Sequence, residues 1–259
     1  MDQQLITQVD GGVGTITFNR PEVMNGLNPD YLQRFIAALQ AFERDAAVRV
    51  IVLTGAGKAF SSGGDKAFLR ELTRMTPAQI RDTVYNSFLG ATRSIKLCSK
   101  PTIAAVNGPA VGAGCEIAVA CDFRIVAEDA FFCENWIDLG LIPPLGGMML
   151  LPRLIGLERA SNMVMRAKRV YGPEAKAIGL ASECVAPTEF AQTVSAFAAD
   201  LAGRSRNALA IAKQGLRRGM EGTLAGEWEF NLQVQAMLIS GPDFAEAVSA
   251  LENKRRPMF

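Results

Sequence analysis

One glutamate stands inside a stretch of small and apolar residues, AVGAGCEIAVACD, at positions 110–122. Gly112, Ala113 and Gly114 precede Glu116, and the residues after it have the composition of a buried helix. Amides at a helix N-terminus have no partner within the helix and lie at the positive end of its dipole, so they can donate to a negative oxygen. Apolar walls raise the pKa of a carboxyl group toward the range useful for proton exchange. The stretch predicts an anion-stabilising turn with a general acid or base. The alternative is an ordinary first-turn acid.

A second loop has the same construction. KAFSSGGDKAFL, at positions 58–69, follows a predicted strand and runs through small residues into a predicted helix. Two such loops brought together would direct backbone donors at one oxygen and form an oxyanion hole. The alternative is a pair of tight strand-to-helix turns that need glycine for their geometry alone.

The chain has 259 residues and no histidine, which excludes Ser-His and Cys-His nucleophilic machinery and the usual zinc ligand sets. Acid–base chemistry therefore falls to other side chains or to backbone dipoles. The 27 basic and 26 acidic residues give a net charge of +1, which provides no overall attraction to nucleic acid or to an anionic membrane.

Five cysteines, an odd number with no CxxC pair, lie mostly in apolar surroundings and predict reduced, buried thiols in a cytoplasmic protein. No uninterrupted apolar run is long enough to predict a membrane span, and the first residues do not resemble a signal peptide.

The elements that must position these loops alternate between strand and helix. ITQV and VGTITF flank Gly11-Gly12 and predict a hairpin. Apolar residues at helical spacing from Leu32 to Phe42 follow Asn28-Pro29-Asp30, a helix start. VRVIVLTG, PTIAAVNG and CDFRIVAED predict short buried strands. This alternation predicts an α/β fold with a parallel sheet and crossover helices.

From about residue 187 the helical pattern dominates. Four segments carry it, namely 190–201, 208–218, 224–239 and 244–251. The sequence therefore predicts an α/β core over residues 1–186 and a helical C-terminal region over residues 187–259.

In their order and spacing these motifs resemble the crotonase (enoyl-CoA hydratase/isomerase) superfamily. FNRPEVMNGLN, at positions 18–28, is similar to the start of that family's CoA site, and FFCENWIDLGLIPPLGG, at 131–147, supplies a third matching segment. The resemblance covers nearly the whole chain. It implies a crotonase-like ββα spiral core, a helical C-terminal trimerisation region with trimers often stacked into hexamers, and a thioester substrate, usually an acyl-CoA.

The resemblance also implies site roles. The backbone donors of the oxyanion hole fall on Ser62 and Ala113, where they would stabilise a thioester enolate, and Glu116 falls on a catalytic glutamate of the hydratases. Contacts with the acyl-CoA fall on residues of the first and second segments and of the glycine-rich turns: Val23, Met24, Lys58, Ser61, Gly63, Gly64, Asp65, Lys66 and Gly112.

The chain departs from the hydratase pattern at one position. Where hydratases carry a second glutamate, in a pattern like FGQPEILLG, this chain has Trp136. Glu134 and Asp138 are the nearby carboxylates that could replace it, and all three side chains share a face only if the segment is extended. Trp136 itself would line the acyl pocket or serve only in packing. The dehalogenase-type members also have tryptophan here, but their nucleophilic aspartate near Pro144 is missing.

The sequence thus predicts a cytoplasmic homotrimer, or a dimer of trimers, that acts on an acyl-CoA with no metal and no cofactor besides the CoA of its substrate. The leading reaction is enoyl-CoA hydration or isomerisation. The alternatives are a decarboxylase or C–C bond hydrolase with the same fold, and a binding protein that holds acyl thioesters without turnover.

Overall fold

A β-hairpin opens the part of the chain that the computed structural model describes, residues 4–259. Strands β1 (Leu5–Asp10) and β2 (Val13–Phe18) pair antiparallel. Gly11 and Gly12, at φ +53° and +83°, form the turn between them, a conformation that favours glycine. The predicted hairpin is confirmed.

Seven further strands complete two sheets. In chain order they are β3 (Val50–Gly55), β4 (Thr102–Val106), β5 (Ala110–Val111), β6 (Phe123–Ala127), β7 (Phe131–Cys133), β8 (Val170–Tyr171) and β9 (Glu183–Val185). The main sheet has the order β1-β2-β3-β4-β6-β9 and is parallel from β2 onward, as predicted. A small sheet, β5-β7-β8, was not predicted, because strands of two or three residues are too short to show an alternating pattern.

Helices connect these strands and make up the C-terminal region. The first eight are α1 (Pro29–Arg44), α2 (Lys66–Leu72), α3 (Pro77–Val84), α4 (Gly90–Leu97), α5 (Ala113–Ala120), α6 (Gly147–Ile155), α7 (Leu157–Arg166) and α8 (Gly172–Ala177). The last four are α9 (Phe190–Ala202), α10 (Arg206–Gly219), α11 (Leu224–Ile239) and α12 (Pro242–Glu252). Helix α1 begins as the sequence predicts, with the Asn28 side chain accepting from the Tyr31 amide at 2.9 Å.

The main sheet is covered on both faces. On one face Phe18 packs against the rings of Phe35 and Phe60, at centroid distances of 5.4 and 5.6 Å. On the other face Ala198 and Ala202 of α9 pack with strand residues such as Val50, Val52 and Ile103. Helix α9, which the sequence analysis assigns to the C-terminal region, therefore closes the second layer of the core.

Helix α11 is different from α9, because none of its residues is buried in the single chain. Its large apolar side chains are exposed, with Trp228 at 65% and Leu232 at 79%. No helix among residues 4–259 combines the length and the apolar character needed to cross a membrane. The five cysteines are free, and all except the half-buried Cys184 are buried, as predicted.

Candidate active site

The two glycine-rich loops meet at one edge of the main sheet. They follow β3 and β4, which are parallel neighbours, so their carboxyl ends lie side by side. Ser61 in the first loop donates its amide to Pro109 O at 3.1 Å, and the Val111 amide donates to Ser61 O at 2.9 Å. These two bonds hold the first loop against residues 109–111, which lead into α5.

Glycine is required where the loops touch. A Cβ atom on Gly114 would lie 2.6 Å from Ser61 O and 2.8 Å from Ser61 Cβ, which is too close for any side chain. Gly63 has φ +83°, and a Cβ there would lie 2.8 Å from Val111 O and 3.4 Å from Ala113 N. The glycines at 63 and 114 therefore allow the first loop to lie next to the amide of Ala113.

The hydrogen bonds of this region decide which amides can bind a ligand. The Ser62 amide donates to Met24 O at 2.9 Å, and the Gly63 amide donates to Ser61 Oγ at 3.2 Å. Within residues 4–259 the amides of Gly64 and Ala113 have no acceptor, as expected for Ala113 because it begins α5. Ser62, which the resemblance put in the oxyanion hole, thus has its donor occupied, whereas that of Gly64 is available.

Asn25 organises the first loop and was not singled out by the sequence analysis. It is fully buried at φ +55°, and its Nδ2 donates to Ala56 O at 2.9 Å and to Ala59 O at 2.7 Å. Its carbonyl oxygen accepts from Ser61 Oγ at 2.8 Å. A signal was present, since asparagine before glycine favours a left-handed turn, but the partners of its amide lie 31 and 34 residues away.

The remaining residues assigned to acyl-CoA contacts fall into two groups. Those on the surface beside the loops are Val23, Met24, Lys58 and Lys66. Ser61 and Asp65 are buried instead and bond within the protein. Asp65 caps α2 through the Phe68 amide at 2.8 Å, and it pairs with Arg20 at 3.2 Å. Although burial opposes it, the bonds from Phe68, Asn28 and Arg20 lower the pKa of Asp65. The Asp65 side chain therefore stabilises the loop, and its amide is occupied as well, since it donates to Leu27 O at 2.8 Å.

Glu116 lies on α5 one turn after Ala113, and its side chain is buried. Its Oε1 accepts from the amides of Leu145 at 2.9 Å and Gly147 at 2.8 Å, whereas its Oε2 is buried without a partner. Burial raises the pKa of Glu116 to about 7, against the lowering effect of these bonds and of Trp136. A carboxyl group with this pKa can both accept and return a proton at neutral pH.

Glu134 is a second buried carboxyl group at the same place, with no exposed surface. Its Oε2 accepts from Trp136 Nε1 at 3.0 Å, and its Oε1 has no partner. Burial and then the charge of Glu116 raise the pKa of Glu134 well above its ordinary value. The indole of Trp136 also lies beside the second loop, since a Cβ on Gly112 would be 3.8 Å from its Cε2 and Cζ2.

Asp138 does not join this group. The chain forms a short 3-10 helix from Asn135 to Leu139, so the side chains of Glu134 and Asp138 diverge, and Asp138 is exposed. Of the two carboxylates considered for the missing glutamate, the structure brings only Glu134 to Glu116. Glu134 is buried because it directly follows strand β7, which leads into the interior.

Comparisons with known proteins find close similarity to one family. A family model described as enoyl-CoA hydratase/isomerase matches residues 8–259. A probable enoyl-CoA hydratase of Rhizobium meliloti is 36% identical over 257 residues, covering 99% of this chain and 98% of that protein. A short-chain-enoyl-CoA hydratase of Clostridium acetobutylicum is 33% identical over 253 residues, covering 97% and 95%.

Among solved structures, the enoyl-CoA hydratase of Bacillus anthracis superposes with a TM-score of 0.93 at 32% identity, covering 99% of both chains. The fold is that of the crotonase superfamily, as the motifs predicted. Within it, the chain belongs to the enoyl-CoA hydratase/isomerase family.

Proposed function

We propose that the protein hydrates or isomerises an enoyl-CoA through a thioester enolate. The amides of Gly64 and Ala113 would hold the thioester oxygen, and Glu116 would exchange the proton. The observation that carries this proposal is the pair of amides without acceptors beside a buried carboxyl group whose pKa is about 7. Donors aimed at a developing oxyanion typically contribute about 10²–10³ in rate each.

Hydration is the reaction that we place first. It adds a water hydroxyl to the β-carbon and a proton to the α-carbon, and Glu116 can take the proton of the water and pass it to the enolate. The relatives described above are named enoyl-CoA hydratases. Isomerisation would use the same two amides and the same Glu116, but Glu116 would remove the α-proton of a 3-enoyl-CoA to give a dienolate and return the proton to the γ-carbon, with no water added. The decarboxylase, C–C hydrolase and non-catalytic alternatives have no observation in their favour.

The donor assignment can be tested by removing one amide. Ala113 is the first residue of α5, where proline suits the backbone; the substitution removes the N–H and puts a ring carbon in its place. Ala113→Pro should lower kcat/KM for crotonyl-CoA by about 10²–10³. Leu224→Pro is the matched control, because Leu224 is the exposed first residue of α11. Full activity of a folded Ala113→Pro protein would refute the oxyanion assignment.

The substrate can be identified with the same material. A panel of acyl-CoA thioesters is incubated with the protein and analysed by mass spectrometry, which separates hydration (gain of one water) from decarboxylation and C–C cleavage. Isomerisation leaves the mass unchanged and is followed by chromatography. A panel without any conversion, with thioester binding retained, would favour a binding protein over an enzyme.

We also propose assembly into a homotrimer or a dimer of trimers in the cytoplasm. The exposed apolar side chains of α11 support burial against other copies of the chain, since patches of this kind mark interfaces. The free cysteines support a reducing compartment.

A further inference from the structure

Within the described residues 4–259, two side-chain oxygen atoms at the site are buried without a hydrogen-bond partner, and they belong to two neighbouring carboxyl groups. They are Glu116 Oε2 and Glu134 Oε1. The other oxygen of each group is bound, to the Leu145 and Gly147 amides in one case and to the Trp136 indole in the other. If both groups were ionised, two negative charges would lie side by side in the interior, and Glu116 Oε2 and Glu134 Oε1 would lack strong hydrogen-bond donors. Such an arrangement is unfavourable.

One proton between the two groups removes both problems. It cancels one charge, and the protonated group becomes a donor for the other. The position of the proton follows from the fixed donors around the pair. Glu116 accepts two backbone N–H groups on one oxygen, which stabilise its charged form, whereas Glu134 accepts one indole N–H and contacts the Cys115 thiol, which is a weak donor. The charge therefore belongs on Glu116 and the proton on Glu134.

We propose that Glu134 is a neutral carboxylic acid at neutral pH, that Trp136 fixes its orientation, and that its Oε1–H donates to Oε2 of Glu116. Glu134 is then a positioning residue. It orients the Glu116 carboxylate and stabilises its charged form, and it does not itself need to touch the substrate. This inference rests on the proposed role of Glu116 and deepens it, because it replaces the missing carboxylate at position 136 by an acid two residues earlier.

The other titratable groups around the pair are two cysteine thiols, and neither competes with the carboxyl groups for the proton. The Cys115 thiol lies beside both carboxyl groups and bonds to Glu134, and burial raises its pKa well above its usual value. The Cys133 thiol faces Glu134 from β7, and burial raises its pKa as well. Cys133 Sγ lies 3.3 Å from the Ala167 carbonyl oxygen, to which it donates. Both thiols stay neutral, so Glu116 and Glu134 are the groups that compete for the proton.

The proton can be observed directly by infrared spectroscopy at about pH 8, without any turnover. The wild-type protein should show the C=O band of a buried carboxylic acid, and Glu134→Gln should lack it. Glu116→Gln should keep the band, because burial, the larger cause, still disfavours the charged form of Glu134. Trp136→Phe should shift the band to higher frequency, because the C=O of Glu134 loses its N–H donor. Absence of the band from the wild type, or its loss in Glu116→Gln alone, overturns the proposal.

The pH profile of kcat/KM supplies a second readout that a merely structural role would not move. Glu134→Gln keeps a neutral donor toward Glu116, so the acid limb of the profile should stay near that of the wild type. Glu134→Met replaces the donor by an apolar side chain of similar length. The acid limb should then move to higher pH by about one unit or more, because the charged form of Glu116 loses its donor. A limb that moves to lower pH in Glu134→Gln would mean that Glu134 is ionised in the wild type.

Two more outcomes complete the test. If the acid limb of the kcat/KM profile lies at the same pH in the wild type, Glu134→Gln and Glu134→Met, Glu134 serves only in packing, and the proposal is overturned. If Glu134→Met does not fold, Glu134→Gln and the infrared band decide the question alone. If Glu116→Gln keeps full turnover while the band behaves as expected, the proposed function fails and the protonation of Glu134 stands.

Discussion

Burying Glu116 has a cost in stability that depends on pH, and this cost can be isolated by one substitution. The carboxyl is buried, and burial raises its pKa from 4.5 to about 7. Below about pH 4.5 the group is protonated in both the folded and the unfolded chain, so it adds no penalty. As the pH rises toward 7 the unfolded chain releases the proton and the folded protein retains it, so stability falls with pH.

The size of the effect follows from the two pKa values. Their separation corresponds to roughly 3 kcal/mol once both states are ionised, and most of that, roughly 2–3 kcal/mol, is lost between about pH 5 and about pH 8. Glu116→Gln has nearly the same shape and never ionises. Relative to the wild type, the variant should therefore gain roughly 2–3 kcal/mol over this interval.

The assay is urea unfolding of wild type and Glu116→Gln at both pH values and at one protein concentration, because subunit association would add its own contribution. The difference between the two proteins cancels the titration of shared groups that do not interact with Glu116. Glu174→Gln, at a partly exposed glutamate of α8 far from this site in the chain, is the matched control and is measured in the same way. Parallel pH dependence of wild type and Glu116→Gln would refute the raised pKa and with it the acid–base role.

Four further predictions follow from the same contacts. Glu116→Gln should lower kcat by about 10²–10⁴ while thioester affinity stays, and the wild-type kcat/KM should rise with pH through about 7, measured in a crotonyl-CoA assay. Gly114→Ala should separate the two loops and cost about 10²-fold in activity, whereas Gly219→Ala, which meets no atom within 4 Å, should be neutral. Light scattering should give a multiple of 27.8 kDa, and Trp228→Asp should reduce it, whereas a stable wild-type monomer would contradict the assembly. Trp136→Glu should destabilise the protein in thermal unfolding, because it adds a carboxyl to a buried pair and removes the indole donor; an unchanged midpoint would speak against that pair.

The parts of the fold that the sequence predicts are those with a local signal. The Gly11-Gly12 turn, the helix after Asn28 and the strand before Gly55 each depend on neighbours in the chain, and each forms as predicted. The small sheet and the packing of α9 on the main sheet depend on contacts between distant residues, and no periodicity reports them.

The candidate site divides in the same way. Glycines at positions 63, 112 and 114 predict a close approach of backbone. The short distance from a Cβ on Gly63 to Val111 O, and from a Cβ on Gly114 to Ser61 O, explains two of them. Which amide remains free is not a local property, because the Ser62 donor is taken by Met24, which lies 38 residues earlier in the chain. The resemblance alone therefore named Ser62, and only the hydrogen bonds favour Gly64.

The exchange at position 136 has a physical logic that the sequence alone does not reveal. β7 carries Glu134 inward, and the turn that follows brings the Trp136 indole back over the Glu134 carboxyl. A carboxylate at 136 would approach the ligand from beside Gly112, whereas an acid at 134 lies in the interior next to Glu116. The Trp136 indole fills the place beside Gly112 and donates to the Glu134 carboxyl. The loss of a glutamate at 136 and the presence of one at 134 therefore belong to a single rearrangement. Replacing either residue alone leaves a buried carboxyl oxygen or an indole N–H without its partner, and we therefore expect Glu134 and Trp136 to be strongly coupled in a double-mutant cycle of stability.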